Sequence, residues 1–193
     1  MNAAARATFT ATLGFAGVVL LFPSCGRAQD QRDQVWDNFG GNAQSQKYSM
    51  ATQITPANAK NLKTAWSLHT GDVSTVAPKT TWGATPLFVN STVYVGTPKY
   101  RLFAVEPDTG KVKWVYTAKT NITKPVNQGL KSRGISYWHA ANPVAGQPCQ
   151  KMIYMGTMDG HLHAVDADTG RLCRSFGNNG VLDVNQWNTI NPK

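Results

Sequence analysis

Residues 92–96, Thr-Val-Tyr-Val-Gly, alternate β-branched and aromatic side chains, the pattern of a strand. A few turn residues follow, and then Leu102-Phe103-Ala104-Val105 forms a nearly continuous apolar run, the signature of a strand buried on both faces. Asp108-Thr109-Gly110 predicts a tight turn: the aspartate can bond its own backbone two residues on, and glycine accepts a positive φ. Val112–Tyr116 reads as the next strand, with Trp114 projecting from it, and Thr85–Val89 upstream supplies another. Four short antiparallel strands of this kind make one propeller blade.

The same pattern returns 60 residues later without a gap. Residues 93–114 and 153–174 share Tyr94/Tyr154, Gly96/Gly156, Thr97/Thr157, Leu102/Leu162, Ala104/Ala164, Val105/Val165, Asp108/Asp168, Thr109/Thr169 and Gly110/Gly170. A repeat of this period means stacked or radial supersecondary units. The fragment Leu62-Lys63-Thr64-Ala65-Trp66, followed by Thr70-Gly71, resembles the outer part of a further blade. Trp66 and Trp114 are expected to be packing residues between blades, since a large flat ring buries much apolar area there. At the matching place in the second repeat stands Arg174. The fold class expected is therefore all-β, a partial β-propeller. A blade takes about 40–60 residues and a closed ring at least four blades. A chain of 193 residues is accordingly expected to be the front of a larger ring, carrying two to three blades.

Composition agrees. With 15% charged and 41% hydrophobic residues, 17 Gly, 10 Pro and six Trp, the chain is neither a disordered tail nor a coiled coil. Residues 1–28 carry no acid, a basic Arg6, an apolar run from Leu13 to Phe22, then Pro23 and the small residues of Gly26-Arg27-Ala28. That order predicts a secretory signal peptide cleaved after Ala28, and the run is shorter than a membrane span requires. Cys25 leaves a lipidated or uncleaved anchor as the alternative. The domain reading is a signal peptide over 1–28, a lead-in segment over 29–61 and an incomplete propeller over 62–193. Removing the signal takes away Arg6 and Arg27, leaving 17 basic against 10 acidic residues, a charge of +7. The basic residues are scattered, so a basic surface is expected, with peripheral membrane contact left open and no nucleic-acid partner. Export permits disulfides, and Cys149–Cys173 is the expected bridge. No CxxC or HxxxH spacing accompanies these cysteines, which argues against a Cys-His metal site. His161 and His163 share one side of a strand and are read as polar strand positions rather than metal ligands.

Further segments give the pattern a family. Trp36-Asp37-Asn38-Phe39-Gly40-Gly41, Gln46-Lys47-Tyr48-Ser49, Gln53-Ile54-Thr55-Pro56-Ala57-Asn58, Ala84-Thr85-Pro86-Leu87, Arg133-Gly134-Ile135-Ser136-Tyr137-Trp138 and Gly156-Thr157-Met158-Asp159-Gly160 occur in order over about residues 35–185. With the repeat core Ala-Val-x-x-Asp-Thr-Gly-Lys-x-x-Trp (104–114), the series resembles the pyrroloquinoline quinone (PQQ) dependent dehydrogenases of the glucose, quinate and alcohol type.

The resemblance implies an eight-bladed propeller holding PQQ beside a Ca²⁺ ion on its axis. It implies hydride transfer from a sugar, polyol or alcohol to the quinone in the periplasm, and electron passage to a quinone or cytochrome. It places Arg133 near the PQQ carboxylates, where a guanidinium suits bidentate pairing, and Trp138 and His139 as further cofactor-binding positions. Two positions depart from the pattern. Gly83 stands where relatives commonly have a glutamate, and Ser132 stands where many have cysteine. The metal ligands and the catalytic base are implied in later blades, so no catalytic or metal residue is assigned in this chain. Glu106, Asp108, Asp159, Asp166 and Asp168 are read as turn residues. The competing expectation is a non-catalytic scaffold built from the same repeats.

Overall fold

The computed structural model describes residues 35–120 and 129–187; the expected signal peptide lies outside them. Ten strands are present among these residues: β1 (Thr80–Trp82), β2 (Leu87–Val89), β3 (Thr92–Gly96), β4 (Arg101–Val105), β5 (Val112–Thr117), β6 (Leu130–Ser132), β7 (Ser136–His139), β8 (Lys151–Gly156), β9 (His161–Asp166) and β10 (Val181–Asp183). The only helical turns among them are two 3-10 segments, Ala59–Asn61 and Val184–Trp187.

The first repeat folds as an antiparallel sheet in the order β2-β3-β4-β5, and the second as β7-β8-β9-β10. These are two blades of a partial β-propeller. In blade 1 Leu87 pairs with Tyr94, Val93 with Val105 and Ala104 with Trp114. Leu102–Val105 is buried throughout, as its unbroken apolar run requires. Leu102 and Ala104, with Leu87 and Tyr94, join Ile153, Met155, Val165 and Ala167 of blade 2 in one core, so the main apolar seam lies between the blades.

The tryptophans pack as expected, and each sits on the Asp-Thr-Gly turn of the following repeat. Trp114 donates its indole N–H to the Ala167 carbonyl at 3.1 Å, and its ring covers Gly170. Trp66 donates to the Pro107 carbonyl at 2.6 Å and covers Gly110. Both glycines adopt φ +72°, and a Cβ on either would fall within 2.7 Å of the indole. The turn therefore needs glycine twice over, for its backbone and for the ring above it.

The fourth strand of blade 2 is interrupted. Leu172 bridges Val165, and the Cys173 amide donates to the Ala164 carbonyl. The chain then turns away until Gly180, whose carbonyl accepts from the Ala164 amide, and β10 completes the edge. Arg174, at the position matching Trp114, falls in this excursion and is exposed. The Cys149–Cys173 disulfide is formed, with Cα atoms 5.7 Å apart. It ties the loop before β8 to the start of the interrupted strand.

The chain ahead of the blades is also tied to blade 1 through Trp36 and Asp72. Trp36 exchanges both backbone hydrogen bonds with Phe88 on β2. Buried Asp72 takes a two-pronged contact from Arg101 on β4, at 2.9 and 2.7 Å.

Candidate functional site

Two short segments that lead into the blades lie side by side. β1 and β6 run parallel, with Thr80 opposite Leu130, Thr81 opposite Lys131 and Trp82 opposite Ser132. The ladder places Gly83, just beyond β1, against Ser132 and Arg133, just beyond β6. A Cβ at Gly83 would have a single neighbour within 4 Å, the Ser132 carbonyl at 3.9 Å. No positive φ demands glycine there, so Gly83 leaves room that a side chain could fill. Ser132 is buried and its hydroxyl has no hydrogen-bond partner. Gly96, at the end of β3, lets blade 1 approach this point: a Cβ there would stand 2.9 Å from Ile135 Cγ2 and 3.3 Å from Ser132 Oγ.

Arg133 is exposed, and among the described residues its guanidinium has no ion-pair or hydrogen-bond partner. Gly134 follows at φ +147°, a conformation side chains disfavour, and turns the chain into β7. The site is thus a basic, open corner between blades, with Lys131 and Arg133 on one strand end and an unpartnered buried hydroxyl between them.

Trp138 and His139 lie at the far end of β7 and are both exposed. Successive strand residues face opposite ways, so Trp138 and His139 point to different sides. His139 shares its side with Tyr137, ring centroids 5.9 Å apart, and Tyr137 Oη accepts from Asn90 Nδ2 at 2.9 Å. His139 also borders a cavity of about 280 Å³ with Asp37, Asn90, Gln150 and Lys151. The three expected cofactor positions are therefore strung along one strand, with Arg133 before it and the other two at its end.

A second polar cluster occupies the seam between blades. His163 is a polar strand position on β9 and is fully buried, with Nδ1 2.8 Å from Tyr116 Oη. Burial pushes its pKa down, against the opposing pull of Asp159. The Asp159 carboxyl is raised by burial, but the hydrogen bond from Thr157 Oγ1 and the nearby His161 ring, Nδ1 3.3 Å away, outweigh that and bring it to about 2. Tyr94, whose hydroxyl donates to the Ala167 carbonyl at 3.1 Å, is pushed up to about 12, chiefly by burial, and stays a neutral donor.

Among the described residues, one group of three metal-ligating side chains is close-set: Cys149, Asp166 and Cys173. Its thiols are spent in the disulfide, and Asp166 accepts from the amides of Cys149, Asp168 and Thr169. Asp166, the last residue of β9, therefore braces the turn that follows it, and this group does not supply a cation site.

The juxtaposition of Gly83 with Ser132 and Arg133 escaped the sequence reading. Neither Thr-Thr-Trp nor Leu-Lys-Ser shows an alternation that announces a strand, and a parallel pairing across 50 residues leaves no local mark.

Two four-stranded blades with tryptophans docked on Asp-Thr-Gly turns define a class of propeller, and comparison with known proteins gives the family. The family model of the PQQ glucose/ethanol/alcohol dehydrogenase β-propeller domain matches residues 36–192. A quinoprotein glucose dehydrogenase of Gluconobacter oxydans (strain 621H) is 40% identical over 158 residues, covering 77% of this chain and 19% of the relative. A quinate/shikimate dehydrogenase (quinone) of Acinetobacter baylyi is 32% identical, covering 82% and 21%. The crystal structure of the quinohemoprotein alcohol dehydrogenase from Comamonas testosteroni superposes with a TM-score of 0.58 at 25% identity, covering 83% of this chain and 21% of that one. The chain belongs to the PQQ-dependent dehydrogenase propeller family, and it spans about a fifth of the length of these relatives.

Proposed function

We propose that this chain forms the cofactor-facing first blades of a periplasmic PQQ-dependent dehydrogenase. Its substrate would be a sugar, polyol or alcohol, and its electron acceptor a quinone or cytochrome. The observation that carries the reading is the corner at the ends of β1 and β6. There an exposed guanidinium without a carboxylate partner stands beside a buried hydroxyl without a partner.

That donor set fits PQQ, which carries carboxylates. When bound, PQQ supplies the two-electron acceptor chemistry. Arg133 would pair a carboxylate in two-pronged fashion, and the fixed fork of its donors orients as well as binds. Ser132 would give its hydroxyl proton to a neighbouring oxygen, relieving a buried group otherwise left unsatisfied. Gly83 leaves space beside them without adding negative charge, so the corner stays basic and favours an anion. Trp138 offers an exposed flat ring and His139 a titratable donor further along β7. For Ca²⁺ the described residues do not fit, since their one close-set ligand group is consumed by a disulfide and a turn. On the family resemblance, its ligands and the general base belong to later blades, and this chain alone is inactive.

The test is dye reduction with glucose, quinate and simple alcohols in the presence of PQQ and Ca²⁺. It is run on the chain alone and on a protein in which this segment is part of a complete ring. PQQ-dependent turnover is expected from the second and none from the first. A complete ring that takes up no PQQ would favour the scaffold reading, towards which Cys25 and Gly83 lean. Turnover by the chain alone would overturn the placement of the base elsewhere.

A further inference from the structure

The Cys149–Cys173 disulfide sits at the head of a chain of contacts that ends on the seam between the blades. Cys173 is fully buried, while Cys149 is partly exposed. Cys149 lines an open cavity of about 1170 Å³ together with Tyr116, Asp166, Gly170, Arg171 and Arg174. Neither arginine has a carboxylate partner among the described residues, so the two guanidinium charges outweigh the one Asp166 carboxylate in the cavity wall.

Inside that wall, the Cys149 amide donates to Asp166 Oδ2 at 2.6 Å. Asp166 Oδ1 accepts from the amides of Asp168 and Thr169, at 3.2 and 2.9 Å, and from Thr169 Oγ1 at 2.8 Å. One carboxylate thus joins the disulfide-bearing loop to the Asp-Thr-Gly turn. That turn is the seat of Trp114, which is held by the Ala167 carbonyl and lies against Gly170.

We propose that Cys149–Cys173 is a thiol-exchange site whose redox state sets how firmly Trp114 is docked, and hence how tightly blade 1 is joined to blade 2. The co-reactant is a dithiol, either a small molecule or an exported dithiol protein. Its thiolate enters the cavity and attacks the reachable Cys149 sulfur, forming a mixed disulfide and releasing Cys173 as a thiolate. The second thiol of the reductant then displaces Cys149, leaving two protein thiols and one oxidised dithiol. Two electrons and two protons have passed to the protein. Arg171 and Arg174 favour the approach of a thiolate over a neutral thiol. With the bridge open, Cys149 is free to withdraw its amide from Asp166, and the turn loses its tie to the preceding loop.

The test is graded reduction of the folded chain with dithiothreitol. Alkylated cysteines are identified by mass spectrometry, and exchange of the Trp114 indole N–H is followed by NMR. The bridge is expected to open while far-UV circular dichroism keeps its folded value, and Trp114 exchange should rise about tenfold while Trp66 exchange stays unchanged. Asp166→Asn, with the bridge intact, should quicken Trp114 exchange in the same direction. A bridge that opens only when the chain unfolds would overturn the proposal. So would reduction that leaves Trp114 exchange unmoved.

Discussion

The seating of Trp114 on Gly170 makes a quantitative prediction, because three glycines share one backbone conformation in different surroundings. Gly71, Gly110 and Gly170 all adopt φ +72°, yet a Cβ at Gly71 would meet nothing within 4 Å. Alanine at Gly71 therefore bears only the backbone penalty of a left-handed conformation, about 1–2 kcal/mol. At Gly170 the new methyl would lie 2.7 Å from Trp114 Cδ2 and 2.8 Å from Cε3. The ring must retreat by close to an ångström, which forfeits a quarter to a half of its contact energy on that side and breaks its bond to Ala167. The lost hydrogen bond alone is worth about 1 kcal/mol. Gly170→Ala should thus cost about 2 kcal/mol more than Gly71→Ala, read as a lower urea midpoint at constant m. The excess should vanish in a Trp114→Ala background, where no ring is present to be displaced. Equal costs at positions 71 and 170 would refute the docking account.

Other expectations follow from the same contacts. Asp72→Ala leaves the partly buried Arg101 guanidinium with only the Thr70 carbonyl as partner and should lower stability by about 1–3 kcal/mol in urea melts. Arg101→Lys should recover only part of what Arg101→Ala loses, since one ammonium cannot reproduce the fork. The acid side of the stability profile should show two declines. His163 is held neutral below its ordinary pKa of 6.5, so the stability it contributes is present above about pH 6.5 and is lost as pH falls through its depressed value. Asp159, held at about 2 against 3.8, contributes above about pH 4 and loses that as pH falls towards 2. His163→Gln and Asp159→Asn should each remove its own decline in pH-dependent melts.

The blades were readable because each repeat writes its strands locally. Alternation marks β3, the unbroken apolar run marks β4, and Asp-Thr-Gly marks the turn to the outer strand. The packing role of Trp66 and Trp114 was readable too, but not their seats, because each sits on the turn of the next repeat rather than its own. Arg174 announced that the second repeat lacks its tryptophan. The interrupted strand behind that change was hidden, because residues 174–180 resemble any turn-rich segment. The site corner was the least legible part. Arg133 came from a family pattern, and its neighbours Ser132 and Gly83 entered as departures. Only the pairing of β1 with β6 brings the three together.

The central claim is that this corner receives the carboxylates of PQQ through Arg133. Titration of PQQ against a complete ring that contains this segment and against its Arg133→Ala variant, followed by calorimetry, tests it most directly. One site is expected in the parent, weakened roughly 10- to 100-fold in the variant, the equivalent of losing a charge-assisted hydrogen bond. Equal affinity in the two proteins would contradict it.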